Sequence, residues 1–122
     1  MKKIFLDMDG VLTDFNNCAM DFFDIKKRDG IITAGSWDSV PNMCQYLGIS
    51  GREFWDSLTV DFWREMRKMP EADIILDFLS PWEDQLCLLT TPANGASAHG
   101  KIDWIKMNLP NFWKRRRPDS KS

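Results

Sequence analysis

The sequence predicts an α/β fold, with a short parallel pair of strands joined through helices and a helical insert after the first strand. Three observations carry this reading. Residues 3–6 (KIFL) and 86–89 (LCLL) are short apolar runs of strand length. The stretches between and after them have helical spacing, and two strands linked through helices pair in parallel. Two aspartates and a glycine (DMDG) follow the first run, where an α/β strand should end in a turn.

The elements follow in order. Residues 3–6 read as a buried strand. Residues 15–27 read as a helix, with Asp14 as its N-cap and Phe15, Ala19, Phe22 and Phe23 as its apolar stripe. Glycines, serines and a proline make DGIITAGSWDSVP a loop. Residues 41–69 form short helical pieces, one opened by the capping-box spacing of Ser50 and Glu53. Pro70 starts a helix whose buried face is Ile74, Ile75, Phe78 and Leu79. After the second strand, PANGASAHG reads as a flexible loop. KIDWIKMNL then reads as a helix with Ile102, Ile105 and Leu109 on one side, ended by Pro110. Residues 114–122 are a basic polar tail with no apolar pattern.

A chain of 122 residues with 43 % hydrophobic content supports one small domain, spanning 1–122. The formal net charge of -2 does not mark a general nucleic-acid binder. No apolar run is long enough to cross a bilayer, and Asp7 and Asp9 interrupt any signal-peptide core. The three cysteines, Cys18, Cys44 and Cys87, form no CxxC pair and fit a reducing, cytoplasmic setting. A single histidine, His99, excludes a multi-histidine metal centre.

Side chains alternate along a strand, so Asp7 and Asp9 would point the same way if the extended conformation continued, with Met8 turned into the core. Gly10 allows the sharp turn that follows. Paired carboxylates repel unless a cation intervenes, and magnesium would answer that repulsion. A bare DxD is more often a solvated turn, but here an apolar run precedes it and a glycine follows. The second strand ends in Thr90 and Thr91, at the sheet edge where α/β ligand sites lie, and their hydroxyls can meet a phosphate. Lys101 would bring a positive charge there from a helix N-terminus. Taken singly, such threonines are usually caps and such lysines solvated. Placed together at predicted junctions, they make a phosphate site.

FLDMDGVLTDF, LLTTP and KIDW resemble the haloacid-dehalogenase superfamily, and within it the 5'(3')-deoxyribonucleotidases. DMDGVLTDF matches that family's DxDGVxxDF signature. TTP stands where the family has a TSP-like strand end, and Lys101 with Trp104 matches KxxW. GREFWDSL, DFWREM and KMPEA sit where the family has its small helical cap, about residues 16–69 here, and the similarity spans residues 3–112. The resemblance implies a haloacid-dehalogenase-like Rossmannoid core with that cap, and a phosphomonoesterase acting on deoxyribonucleoside monophosphates.

The same resemblance implies the roles. Asp7 would attack phosphorus and, with the Asp9 backbone carbonyl, hold Mg2+. Asp9 would serve as general acid and base. Thr90 and Thr91 would bind the phosphoryl group, and Lys101 would neutralise its charge. Phe15, Phe54, Trp55 and Trp63 are candidates to enclose the base, although aromatic pairs at helical spacing are usually core. Trp104 is expected to pack behind the lysine's helix.

The family also carries a later acidic strand that completes the metal site. After Lys101 the chain offers only Asp103 and Asp119, and neither is placed to replace it. The expectation is therefore a partial, C-terminally truncated core with an exposed strand edge and little phosphatase activity from residues 1–122 alone. The alternatives are an inactive, partner-binding remnant, or a phosphatase for another small phosphomonoester or a nucleic-acid end. The expected partners are a nucleotide substrate and a second or complementing chain at the open edge, with no membrane or general nucleic-acid binding.

Overall fold

The computed structural model describes residues 3–26, 31, 39–90 and 94–116. It is a mixed α/β structure with a two-stranded parallel sheet, β1 (Ile4–Asp7) beside β2 (Leu86–Leu89). The register pairs Ile4 with Leu86, Phe5 with Cys87, Leu6 with Leu88 and Asp7 with Leu89. Between the strands lie α1 (Phe15–Phe22), α2 (Val40–Leu47), α3 (Gly51–Ser57), α4 (Val60–Arg64), α5 (Ala72–Leu79) and a 3₁₀ turn, Ser80–Gln85. Two helices follow β2, α6 (Gly95–Asn108) and α7 (Pro110–Arg116).

Local chemistry accounts for most helix starts. The Asp14 carboxylate accepts the Asn17 backbone N–H and caps α1. Ser50 and Glu53 form a reciprocal capping box at α3, with bonds of 2.9 and 3.1 Å. Thr59 caps α4 through the Phe62 N–H. α1 stops at Phe22, short of the predicted residue 27, and Asp24 takes a left-handed φ of 55° soon after. Phe22 lies at the rim rather than in the stripe. Pro70 precedes α5 instead of opening it, because the helix begins at Ala72.

Four expectations need correction. β1 is covered on one face only: Leu6 packs on the core, while Phe5 is 61 % exposed. The α5 face predicted to be buried carries Ile74 and Phe78 at 69 % and 72 % exposure, since Ala72 and Leu76 are the residues that meet the core. The predicted loop before Lys101 is helical from Gly95, because Asn94 and Ser97 cap each other's backbone N–H groups. α6 buries Ser97, Gly100, Lys101 and Trp104, not Ile102.

The last of these has a steric cause. A Cβ on Gly100 would collide with the Trp63 Cβ and lie 2.7 Å from the Val60 carbonyl oxygen. Glycine therefore lets α4 and α6 meet backbone to backbone, and that contact selects the buried face of α6. Pro110 ends α6 as predicted but also opens α7, so residues 114–116 are helical rather than tail. Residues 117–122 lie outside the described residues.

The core gathers Met8, Leu12, Phe15, Ala19, Met20, Met43, Phe54, Leu58, Trp63 and Trp104. The Trp104 indole N–H donates to the Met66 carbonyl at 2.7 Å, tying α6 to the segment after α4. Cys18, Cys44 and Cys87 are free thiols. Burial pushes the Cys18 and Cys44 thiols above their ordinary range. Among the described residues, no helix is long and apolar enough to cross a membrane.

Candidate functional site

Parallel pairing brings the C-terminal ends of β1 and β2 together, and the Met8 N–H donates to the Leu89 carbonyl at 3.1 Å. The chain then turns sharply. Val11, Leu12 and Thr13 all donate backbone N–H groups to the Met8 carbonyl, and the Gly10 N–H donates to the Thr13 carbonyl. Gly10 sits at φ 84°, where a side chain would strain the backbone. Met8 is fully buried, as alternation predicted.

The two aspartates do not stay equivalent. β1 ends at Asp7, whose side chain is exposed, and the turn carries Asp9 into the interior. There the Asp9 carboxylate accepts three hydrogen bonds. The Lys101 ammonium donates to Oδ2 at 2.8 Å, and the Thr90 hydroxyl reaches the same oxygen at 3.4 Å. The Thr13 hydroxyl donates to Oδ1 at 3.2 Å. Lys101 Nζ also lies 2.6 Å from the Thr90 hydroxyl and 5.0 Å from the centre of the Trp63 ring. The Lys101 and Asp9 side chains are only 3 % and 4 % exposed. Burying either charge alone would be costly, and the mutual pairing is what makes the burial tolerable.

The structure therefore joins three of the predicted site residues, Asp9, Thr90 and Lys101, with Asp7 on the adjoining strand end. Thr91 lies outside the described residues. Lys101 projects from well inside α6, not from its N-terminus, because the helix starts earlier than predicted. It brings its ammonium charge without the backbone N–H groups of a helix start.

The four aromatic candidates pack chiefly on one another. Phe15, Phe54 and Trp63 are fully buried, and Trp55 is half-buried. Phe15 stacks on Trp63 at 5.6 Å and on Trp55 at 5.7 Å, and meets Phe54 edge-on at 6.4 Å. They form the core below the site, and Trp63 also supports Lys101.

Sequence reasoning missed three contributors. Thr13 has no periodic signal, and only the turn brings it back to Asp9. Gly100 looked like loop chemistry. Arg64 on α4 holds Asp103 on α6 through bonds of 2.9 and 2.8 Å and also pairs with Asp61 at 2.6 Å. The Arg64 hydrogen bond holds the Asp103 carboxyl below the usual carboxylate range. Asp103 is thus held by Arg64 on α4, while Lys101 reaches Asp9.

Among the described residues, no three His, Cys, Asp or Glu side chains cluster as a metal site. The Asp9 carboxylate already receives Lys101, Thr90 and Thr13. Of the donors the resemblance implies for a cation, the Asp7 carboxylate is exposed, and the Asp9 backbone carbonyl would be the other. That small hard-oxygen set suits magnesium, which keeps several waters and often uses few protein ligands together with substrate phosphate. In comparisons with known proteins, no family model, curated protein or solved structure matches the chain.

Proposed function

We propose that this protein is a phosphomonoesterase for 5'(3')-deoxyribonucleoside monophosphates, built on a haloacid-dehalogenase-like core and acting through an aspartyl-phosphate. The observation that carries this reading is the buried Lys101–Asp9–Thr90 constellation beside an exposed Asp7 at the strand end. The motif resemblance of FLDMDGVLTDF, LLTTP and KIDW adds the reaction class.

The exposed Asp7 carboxylate is the group free to meet phosphorus. One of its oxygens bonds to phosphorus while the ester oxygen leaves. Asp9 gives a proton to that oxygen and then takes one from the water that hydrolyses the acyl phosphate, releasing inorganic phosphate and restoring Asp7. In the free protein Asp9 is paired with Lys101 as a carboxylate, the form needed for the second step. An arriving phosphate competes for the ammonium and the Thr90 hydroxyl, which frees Asp9 to take from solvent the proton it then gives to the leaving oxygen. Magnesium, held by the Asp7 carboxylate and Asp9 carbonyl, would supply charge neutralisation at the phosphoryl oxygens. Two protein donors alone would hold that ion weakly. The free thiols Cys18, Cys44 and Cys87 suit a reducing, cytoplasmic setting.

Acid-quenching the protein with a deoxynucleoside monophosphate and magnesium, followed by intact-mass and peptide analysis, tests this chemistry. A phosphoryl adduct on Asp7 is expected. Substrate turnover without such an adduct, or an adduct elsewhere, would overturn it. A second reading, partner binding without turnover, draws on the exposed Phe5, Ile74 and Phe78.

A further inference from the structure

Building on the phosphomonoesterase reading of this site, we propose that Thr13 is a positioning residue whose hydroxyl holds Oδ1 of Asp9 and leaves Oδ2 as the oxygen that exchanges the proton. The Asp9 carboxylate is divided between two sets of donors. Oδ2 receives the Lys101 ammonium at 2.8 Å and the Thr90 hydroxyl at 3.4 Å, while Oδ1 receives the Thr13 hydroxyl at 3.2 Å. A hydroxyl has one proton to give. The Met8 carbonyl, 3.4 Å from the Thr13 hydroxyl, is farther and uncharged, and it already accepts backbone N–H groups from Val11, Leu12 and Thr13. The nearer, ionised oxygen therefore takes the proton. On the other side, the Lys101 ammonium lies 2.6 Å from the Thr90 oxygen and can only donate, so Thr90 keeps its own proton for Oδ2.

A substrate changes these two sides differently. A phosphate that takes Lys101 and Thr90 strips both donors from Oδ2. Thr13 stays behind, because it is fully buried and pinned by its backbone. Its N–H donates to the Met8 carbonyl at 3.0 Å, its carbonyl accepts the Gly10 N–H at 2.8 Å, and it bridges both Asp9 and Lys68. A branched Cβ further restricts its side chain. Oδ1 thus remains bonded while Oδ2 opens toward the phosphate. Oδ2 gives its proton to the ester oxygen as the P–O bond breaks and the bonding pair goes to that oxygen. It then takes a proton from the water that attacks phosphorus, and the pair of the acyl-phosphate bond returns to Asp7. Without the Thr13 hydroxyl, the carboxylate can turn about its Cβ–Cγ bond and share both oxygens with the ammonium, which misaims Oδ2.

Thr13→Val keeps the shape and removes the hydroxyl, Thr13→Ala removes it with less bulk, and Thr13→Ser keeps it. Crystal structures of the variants that circular dichroism shows to be folded read the position directly. The Asp9 carboxylate should be turned in the valine or alanine variant and unchanged in Thr13→Ser. Acid-quenched single turnovers, scored for phosphoryl-Asp7, read the chemistry. On a deoxynucleoside monophosphate the hydroxyl-free variant should form it about 10²-fold more slowly, with little change in the half-saturating concentration. On p-nitrophenyl phosphate, whose leaving group needs no proton, the loss should be at least about tenfold smaller. Thr13→Ser should recover most of the rate. An Asp9 carboxylate unmoved by loss of the hydroxyl would overturn the proposal whatever the activity. So would an equal loss on both substrates, or a serine variant as slow as the hydroxyl-free one. A carboxylate that turns, beside a wild type that forms no phosphoryl-Asp7, would uphold the positioning and overturn the enzymatic reading, so the two failures are told apart.

Discussion

Replacing Lys101 by methionine removes one half of a buried ion pair and leaves the other half in place. Asp9 would keep the Thr13 hydroxyl at 3.2 Å and the Thr90 hydroxyl at 3.4 Å, but lose the charged donor at 2.8 Å. Breaking a buried pair from one side typically costs about 3–5 kcal/mol. A small domain has about 5–15 kcal/mol in all, so the loss consumes much of its stability. With a urea slope of about 2 kcal/mol/M, the midpoint should fall by about 2 M. Removing both charges in Asp9→Leu/Lys101→Met should recover most of this, because apolar replacement of a whole buried pair is often neutral or stabilising. Tryptophan fluorescence during urea titration at neutral pH reads the transition, with Trp63 only 5.0 Å from Lys101 Nζ as a local reporter. A loss under about 1 kcal/mol in the single variant, or a double variant no more stable than the single, would refute the reasoning.

Gly100→Ala should destabilise by about 1–3 kcal/mol or more, since its Cβ meets Trp63 and the Val60 carbonyl, whereas Gly95→Ala, with open space around it, should be neutral or gain about 0.4–1 kcal/mol; thermal melts compare the two. Arg64 depresses the Asp103 carboxyl, so its pairing contributes stability that is present above the unfolded-state value and lost as pH falls through the folded one. Asp103→Asn should therefore be less stable than wild type above about pH 5, with the gap closing below about pH 4 in a urea series across pH. Asp9→Asn should lower turnover by about 10²–10⁴-fold with a smaller change in KM, read from steady-state phosphate release by protein first shown to be folded.

The parts that were legible in the sequence are those governed by neighbours along the chain. Alternation and the glycine after Asp9 foretold a strand ending in a turn with Met8 inside. Spacing foretold the Ser50–Glu53 cap, and parallel topology foretold Thr90 arriving beside the aspartates. The parts that were not legible depend on contacts distant in sequence. Ile74 and Phe78 have the periodicity of a buried face, but periodicity cannot say whether a second layer packs there. The small residues of GASAHG look like loop until α4 is seen lying against Gly100. Arg64 acts through Asp103, which only the folded chain brings near from another helix, and Thr13, though four residues from Asp9, reaches it only because the turn folds back.

The strand-end carboxylate beside the Lys101–Asp9–Thr90 constellation is proposed to carry out phosphoryl transfer. Its most direct test is phosphate release from deoxynucleoside 5'- and 3'-monophosphates by purified protein, wild type against Asp7→Asn, with and without magnesium. Release that requires magnesium and vanishes in Asp7→Asn is expected, with the variant still folded. Release that persists in Asp7→Asn, or a wild type no faster than that variant at saturating magnesium, would contradict it.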